Sequence, residues 1–294
     1  MTKTAFTRHD FLRATALGTA AISLPRALFA AEESKTKPFS IVQLCDTQLG
    51  FGGYEHDVNT FKQAVKQINA IKPDLVFICG DLVNKPNEKS FADFNEIKAG
   101  LDAPCYCAPG NHDVGNKPTR QSLQYYRKVV GEDYYSLEHK GYVFAIVNTQ
   151  LWKAPVNDES EKHDSWLEAT LETAANKGSR IFVVGHYPLF LKKPDEGEAY
   201  FNLPPAKRKE LLSLFEKRGV VAMLGGHTHR LLINDYKSIQ LVNGETTSKN
   251  FDKSPFGFRV WNIMNPRPFR HDFIPVKGPR KPKETTEPAG TGDD

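Results

Sequence analysis

Residues 39–48 read FSIVQLCDTQ: an apolar run, Phe39 to Cys45, that stops abruptly in the polar cluster Asp46-Thr47-Gln48. Further apolar runs follow at 75–79, 104–108, 142–148, 181–185 and 220–225. Each is too short for a buried helix and suits a strand covered on both faces. Between them lie longer segments of helical period. Phe61, Val65 and Ile68 mark one face, Trp166, Leu167, Thr170 and Leu171 a second, and Leu211, Leu212 and Phe215 a third. Short strands alternating with amphipathic helices are the pattern of an α/β fold.

Four of the later runs also end in chemistry-bearing residues: Gly80-Asp81, Gly110-Asn111-His112-Asp113, Gly185-His186 and Gly225-Gly226-His227-Thr228-His229. In open α/β sheets, groups beyond the carboxyl ends of the strands converge on one edge, where ligands bind. Beyond Gly226, short β-type runs at 231–233, 239–242, 257–262 and 269–274 read as hairpins or a second sheet.

The rest of the chain bounds the function. With 294 residues, 39% hydrophobic and 25% charged, it has enough apolar content for a sizeable core. Past residue 30 no apolar run is long enough to cross a bilayer, so stable membrane insertion is not expected. The formal charge of +4 is concentrated in the first thirty residues, through Lys3, Arg8, Arg13 and Arg26 against Asp10. The remaining body is nearly neutral, which argues against a nucleic-acid polymer held by phosphate neutralisation. A monomer is expected. Residues 1–31 read as an export signal with a twin-arginine-like leader, although His9 follows Arg8 where a second arginine belongs. Periplasmic or extracellular localisation follows from that reading; an amphipathic first helix is the other. Residues 32–37 read as a linker, 38–276 as the folded domain and 277–294 as a disordered tail. Cys45, Cys79, Cys105 and Cys107 lack zinc-finger spacing and read as small hydrophobes, with a disulfide left open.

The polar strand ends together offer two carboxylates, the amides of Gln48 and Asn111, and four imidazoles, His112, His186, His227 and His229. Oxygen and imidazole donors without thiolate suit Mn, Fe or Zn. The set can supply two ions, with Asp81 as the natural bridge because a carboxylate has two oxygens to share. Ions held roughly 3.5–4 Å apart clamp an in-line displacement at phosphorus.

In this order, the motifs resemble those of the calcineurin-like metallophosphoesterase superfamily: DxH, GDxx, GN[HD], a lone His after a strand, and GHxH. Finer stretches, DTQLGFG, GNHDVGNKPT, HYPLFL, YFNLPP and GGHTHR, are similar to a narrower group typed as Ser/Thr protein phosphatases. The resemblance covers roughly residues 38–262. It implies a four-layer α/β/β/α sandwich of two mixed sheets flanked by helices, and two divalent or mixed-valence ions. Asp46, Asp81 and His229 would bind the first ion, and Asp81, Asn111, His186 and His227 the second. Gln48 stands at the first-motif position usually held by His, with a weaker neutral donor. His112 would be the general acid or a donor to the phosphoryl group, with Asn111 beside it at the substrate, and a metal-bridging hydroxide would be the nucleophile. Asn84 stands where many protein phosphatases have an Asp that orients this histidine, so His112 must be oriented by Asp113 or a backbone carbonyl.

These residues point to a metal-dependent phosphomonoesterase acting on a phosphoprotein or a phosphorylated small molecule. A phosphodiesterase on nucleotides or glycerophosphodiesters is the alternative, since the same ions serve both reactions. A binding protein on the same fold would treat Gln48 and Asn84 as relics, but the other ligands are intact. Candidate substrate loops are 49–57, 151–163 with Trp152, and 187–205 with Lys192 and Lys193.

Overall fold

The computed structural model describes residues 37–264 and 269–278. The segment read as an export leader, nearly all of the one read as a linker and the tail from residue 279 lie outside the described residues. Strands β1 (Phe39–Leu44), β2 (Leu75–Cys79), β3 (Cys105–Ala108), β10 (Gly257–Ile263) and β11 (Arg270–Pro275) form one sheet in the order β11-β10-β1-β2-β3. Strands β4 (Tyr135–His139), β5 (Tyr142–Ile146), β6 (Arg180–Val184), β7 (Val220–Gly225), β8 (Leu232–Tyr236) and β9 (Ile239–Asn243) form the other, in the order β4-β5-β6-β7-β9-β8. Parallel pairs make the centre of each sheet, β1-β2-β3 and β5-β6-β7-β9, and antiparallel strands lie towards the edges.

The C-terminal runs pair as antiparallel neighbours, β8 with β9 and β10 with β11, and the two pairs part company: β8 and β9 extend the second sheet, while β10 and β11 return to the first. Strand β9 is buried along most of its length and β10 likewise, so each needs covered faces and a hydrogen-bonded neighbour on both edges. Strand β4 escapes the sequence reading because only alternate residues are partly buried. It pairs with β5 across Lys140-Gly141, whose φ values of 46° and 79° are those of a two-residue hairpin turn.

Helices complete the layers: α1 (Tyr54–Ile71), α2 (Glu88–Lys98), α3 (Asn111–Val114), α4 (Arg120–Val129), α5 (Gln150–Lys153), α6 (Asn157–Asn176) and α7 (Pro205–Arg218). Phe61, Ala64, Val65 and Ile68 of α1 pack with Phe91 and Phe94 of α2 and Tyr126 of α4 against the outer face of the first sheet. Leu167 and Leu171 of α6, with Leu211 and Phe215 of α7, cover the second. Between the sheets lies an apolar layer that includes Ile41, Phe77, Phe144, Phe182, Leu224 and Trp261. The architecture is thus α/β/β/α. Local signals set the helix ends. Asn87 caps α2 through Ser90 N, Thr119 and Ser122 cap α4 reciprocally, and α7 runs from Pro205 to a left-handed Gly219.

The side chain of Gln43 crosses the layer between the sheets. Gln43 of β1 donates through Nε2 to the carbonyls of Gly225 and Val242, both at 2.9 Å, and its Oε1 accepts from Trp261 Nε1 at 2.9 Å. It aligns the ends of β1 and β7, the two strands whose turns carry Asp46 and His227. Gln43→Leu should lower the unfolding free energy by about 2 kcal/mol or more, because an indole N–H and two carbonyls lose their partner in the core. Denaturant titration reads this directly; a change under about 0.5 kcal/mol would mean that water or a neighbour replaces the amide.

Candidate dinuclear metal site

Each polar cluster follows the carboxyl end of a parallel strand. Asp46 and Gln48 follow β1, Asp81 follows β2, Asn111 and His112 follow β3, His186 follows β6, and His227 and His229 follow β7. Backbone hydrogen bonds knit these turns together: Asp46 N to Gly80 O at 3.2 Å, Gln48 N to Asp81 O at 2.8 Å, and Gly226 N to His186 O at 2.9 Å. Thr246 Oγ1 donates across to Asp46 O at 2.8 Å, and within the second sheet Asn243 Nδ2 donates to Gly226 O at 2.9 Å.

The result is two triads of buried donors, Asp81, His186 and His227, and Asp46, Asp81 and His229. Within each, the ligand atoms lie within 4.8 Å of one another, and Asp81 belongs to both. His186 Nε2 is 3.3 Å from Asp81 Oδ2 and 3.1 Å from Asn111 Oδ1. His229 Nε2 is 3.4 Å from Asp46 Oδ1. On their far sides, His186 Nδ1 meets the Cys79 carbonyl at 2.8 Å and His229 Nδ1 meets the Lys249 carbonyl. A carbonyl only accepts, so Nδ1 carries the hydrogen in both rings and Nε2 faces the carboxylates, the posture of a ligating imidazole.

Electrostatics asks for a cation here. Burial pushes the Asp46 carboxyl well up; the positive charge of His186 opposes this, and Asp81 adds to it. Burial alone would lower the His186 pKa, yet the adjacent Asp81 and Asp46 charges push it up to about 10, so a proton stands where positive charge is needed. Burial lowers His227 well below its usual range and His229 to about 4, leaving both as neutral donors. His227 Nε2 and both amide atoms of Gln48 are buried with no hydrogen-bond partner in the protein, although buried polar groups are normally paired. Orphaned donors around crowded carboxylates fit a pair of divalent ions.

The backbone is bent to build this arrangement. Asp46, Gln48, Asp81, His227 and His229 have φ of 49°, 35°, 50°, 70° and 51°, a left-handed region that few non-glycine residues adopt, Asp and His more readily than most. Such residues cost about 1–3 kcal/mol each and persist where surrounding structure over-determines them.

His112 sits half-buried at the edge of this cluster. Its backbone N–H donates to Asp81 Oδ1 at 2.9 Å, and its Nδ1 donates to the Asn84 carbonyl at 3.0 Å. That decides between the two orienting groups left open by the sequence. Asp113 is occupied elsewhere, accepting from the backbone N–H groups of Leu82, Val83 and Gly110.

Of the three substrate loops, 49–57 brings Phe51 to the site, its ring 6.1 Å from that of His112 and 5.2 Å from that of His229. The segment 151–163 is corrected: most of it is helix α5 and the start of α6. Trp152 is buried, its Nε1 bonded to Asp164 Oδ1 at 2.8 Å, because its apolar ring belongs to the core beneath. In 187–205, Lys193 pairs with Asp195 on the surface, and the Lys192 backbone N–H is held by Glu196. The residues of that loop that reach the site are Tyr187, Tyr200 and Phe201. These, with Phe251, escaped the sequence reading, since an aromatic in a loop carries no positional signal. The buried Arg208 guanidinium fixes the loop through the carbonyls of Leu189, Pro194, Glu196 and Leu203. All four cysteines are free.

Comparison with known proteins agrees with this geometry. The profile of the family described as calcineurin-like phosphoesterase matches residues 39–231. The chain is 33% identical over 248 residues to serine/threonine-protein phosphatase CPPED1 of Danio rerio, covering 76% of this chain and 80% of that one. It is 26% identical over 219 residues to the probable glycerophosphodiester phosphodiesterase GpdQ of Arcobacter nitrofigilis, covering 71% of this chain and 78% of that one. Among solved structures, a dimetal phosphatase from Danio rerio superposes with a TM-score of 0.61 at 16% identity, covering 81% of this chain and 96% of that one. Motif order, fold and donor geometry converge on one conclusion: the chain belongs to the calcineurin-like phosphoesterase family.

Proposed function

We propose that this protein is a dinuclear metal-dependent phosphomonoesterase. The observation that carries the reading is the pair of buried triads sharing Asp81, with Asn111 and His112 at their edge. Similarity to CPPED1, named a serine/threonine-protein phosphatase, supports it. Asp46, Gln48, Asp81 and His229 would hold one ion, and Asp81, Asn111, His186 and His227 the other. A pair of divalent ions there supplies Lewis acidity, lowering the pKa of water and offsetting the charge on phosphoryl oxygens.

The protein's own groups handle the leaving side. Because the Asn84 carbonyl holds Nδ1–H of His112, the proton that the imidazolium form can give up is the one on Nε2. As the bond from phosphorus to the ester oxygen breaks, that oxygen takes the Nε2 proton and leaves as an alcohol; water supplies the new oxygen of the phosphate, one of its protons staying on that oxygen and the other returning to His112. No side-chain nucleophile is required. His112→Ala should retain the metal content and lower kcat on an alkyl phosphate by about 10²–10⁴-fold. The loss should be much smaller on p-nitrophenyl phosphate, whose leaving group needs no proton. Equal losses on both esters would reassign His112 to binding the phosphoryl group.

Similarity to GpdQ, whose name is that of a phosphodiesterase, favours a second reading in which the substrate carries two ester arms. Elemental analysis of the purified protein, with turnover of p-nitrophenyl phosphate and its bis-ester before and after chelation and Mn²⁺ addition, tests both. Near two ions per chain and chelator-sensitive monoester turnover support the phosphomonoesterase; faster bis-ester turnover supports the diesterase. No turnover with any metal would support a binding protein. The leader places this activity outside the cytoplasm in our reading; cell fractionation with the intact mass of the mature chain tests that, and a cytoplasmic full-length chain would refute it.

A further inference from the structure

Among the described residues, the exposed large apolar side chains are Ile71, Tyr200, Leu231, Ile233, Phe251 and Met264. The two aromatic ones, Tyr200 and Phe251, both stand at the mouth of the metal site. Phe251 stacks on the His229 ring, with centroids 4.5 Å apart and planes 24° apart. Phe51 meets Phe251 edge-on at 6.2 Å, and Phe201 spans from Phe251 at 6.0 Å to His227 at 5.2 Å. The Tyr200 ring lies 5.2 Å from His227, and its hydroxyl accepts from Asn111 Nδ2 at 3.3 Å. Four rings therefore surround the imidazoles, and Lys249 Nζ lies 5.5 Å over the Phe51 ring, adding positive charge at the rim.

Packing does not explain this collar. Phe251 is 51% exposed, and among the described residues the one ring stacked on it is that of His229. Nor is the collar loose: Tyr200 and Phe201 ride on the segment clasped by Arg208, with Glu196 accepting from the backbone N–H groups of Leu191, Lys192 and Lys193. An apolar surface set in advance beside a phosphoryl site costs little ordering when a ligand arrives. With the phosphoryl group against the metal ligands, the ester's other end must leave through the mouth, past these rings.

We propose that the collar binds the leaving group and selects phosphomonoesters whose leaving group carries an aromatic ring, stacked on the outer face of Phe251. This rests on the phosphomonoesterase reading and adds the substrate class. Offset stacking of one ring on another is worth a factor of about three to ten.

The test compares wild type, Phe251→Leu, which keeps apolar bulk without a ring, and Phe251→Tyr, which keeps the ring, in the full chain supplied with Mn²⁺. The first readout is the ratio of kcat/KM for 2-naphthyl phosphate to that for glycerol 2-phosphate, in which intrinsic leaving-group reactivity cancels between variants. The second is the ratio of calorimetric affinities for phenylphosphonate and ethylphosphonate, which needs no turnover. Both ratios should fall about three- to tenfold in Phe251→Leu and hold in Phe251→Tyr. Ratios unchanged in Phe251→Leu, whether or not both esters slow together, overturn the collar while leaving the phosphomonoesterase standing. Absence of turnover on either ester, with the affinity ratio behaving as described, overturns the phosphomonoesterase reading instead.

Discussion

Asp81→Asn should remove both halves of the metal site at once. Asp81 is the one residue common to the two triads, its Oδ2 faces His186 Nε2 at 3.3 Å, and its Oδ1 accepts from the His112 backbone at 2.9 Å. Asparagine keeps the shape but loses the charge, and it must turn its NH₂ towards either the His112 N–H or the ligand face. Without the anion, the support for a positive charge at His186 falls to Asp46. Metal content should drop below one ion per chain, and turnover should fall at least about 10³-fold, equivalent to about 4 kcal/mol of transition-state stabilisation. Elemental analysis and turnover on the same preparation, with near-ultraviolet circular dichroism to verify folding, read the two effects together. Two retained ions would refute Asp81 as the shared ligand.

Gly110→Ala should be nearly as damaging, though glycine contributes no chemistry. A methyl group there falls well inside contact distance of Asp81 Oδ1 and of the Asp81 backbone nitrogen. Both are fixed: the carboxylate oxygen by His112 N–H, and the turn by Gln48 N bonded to Asp81 O. The chain must move the Asp81 carboxylate shared by the two triads or the turn carrying Asn111 and His112, and displacements of about 1 Å cost roughly 100-fold in rate. We expect turnover to fall at least about 100-fold, metal affinity to weaken, and stability to drop by about 1–3 kcal/mol from overpacking. Gly197→Ala is the matched control, since its added methyl meets nothing within 4 Å and should leave turnover near wild type. A Gly110→Ala variant with full metal and turnover would mean that the turn after β3 yields without moving Asp81.

Much of the site was legible from the chain because its chemistry is carried by side chains placed directly after apolar runs. Asp46, Asp81, Asn111, His186, His227 and His229 each follow a strand at a short, readable interval, and parallel strands bring such positions to one edge. The means of holding them was not legible. His112, His186 and His229 are oriented by the backbone carbonyls of Asn84, Cys79 and Lys249, and a carbonyl has no letter in a sequence. Gln43 looked like one more residue in a strand until two sheets closed over it. Trp152 looked like a loop aromatic and proved to be core, whereas Tyr200 and Phe251, with equally silent surroundings, stand at the mouth.

By itself, then, the sequence determined the alternation of strand and helix, the candidate donors and their order along the chain, all properties of neighbouring residues and hydrophobic period. Tertiary structure alone decided which sheet received β8 to β11, that Asp81 belongs to both triads, that five of the candidate ligand residues adopt left-handed backbone, and which rings frame the opening. These depend on contacts between residues far apart in the chain, such as Asp46 with Thr246 and Gln43 with Trp261. Their free energy exists only after both sheets have packed, so no local window of sequence contains it.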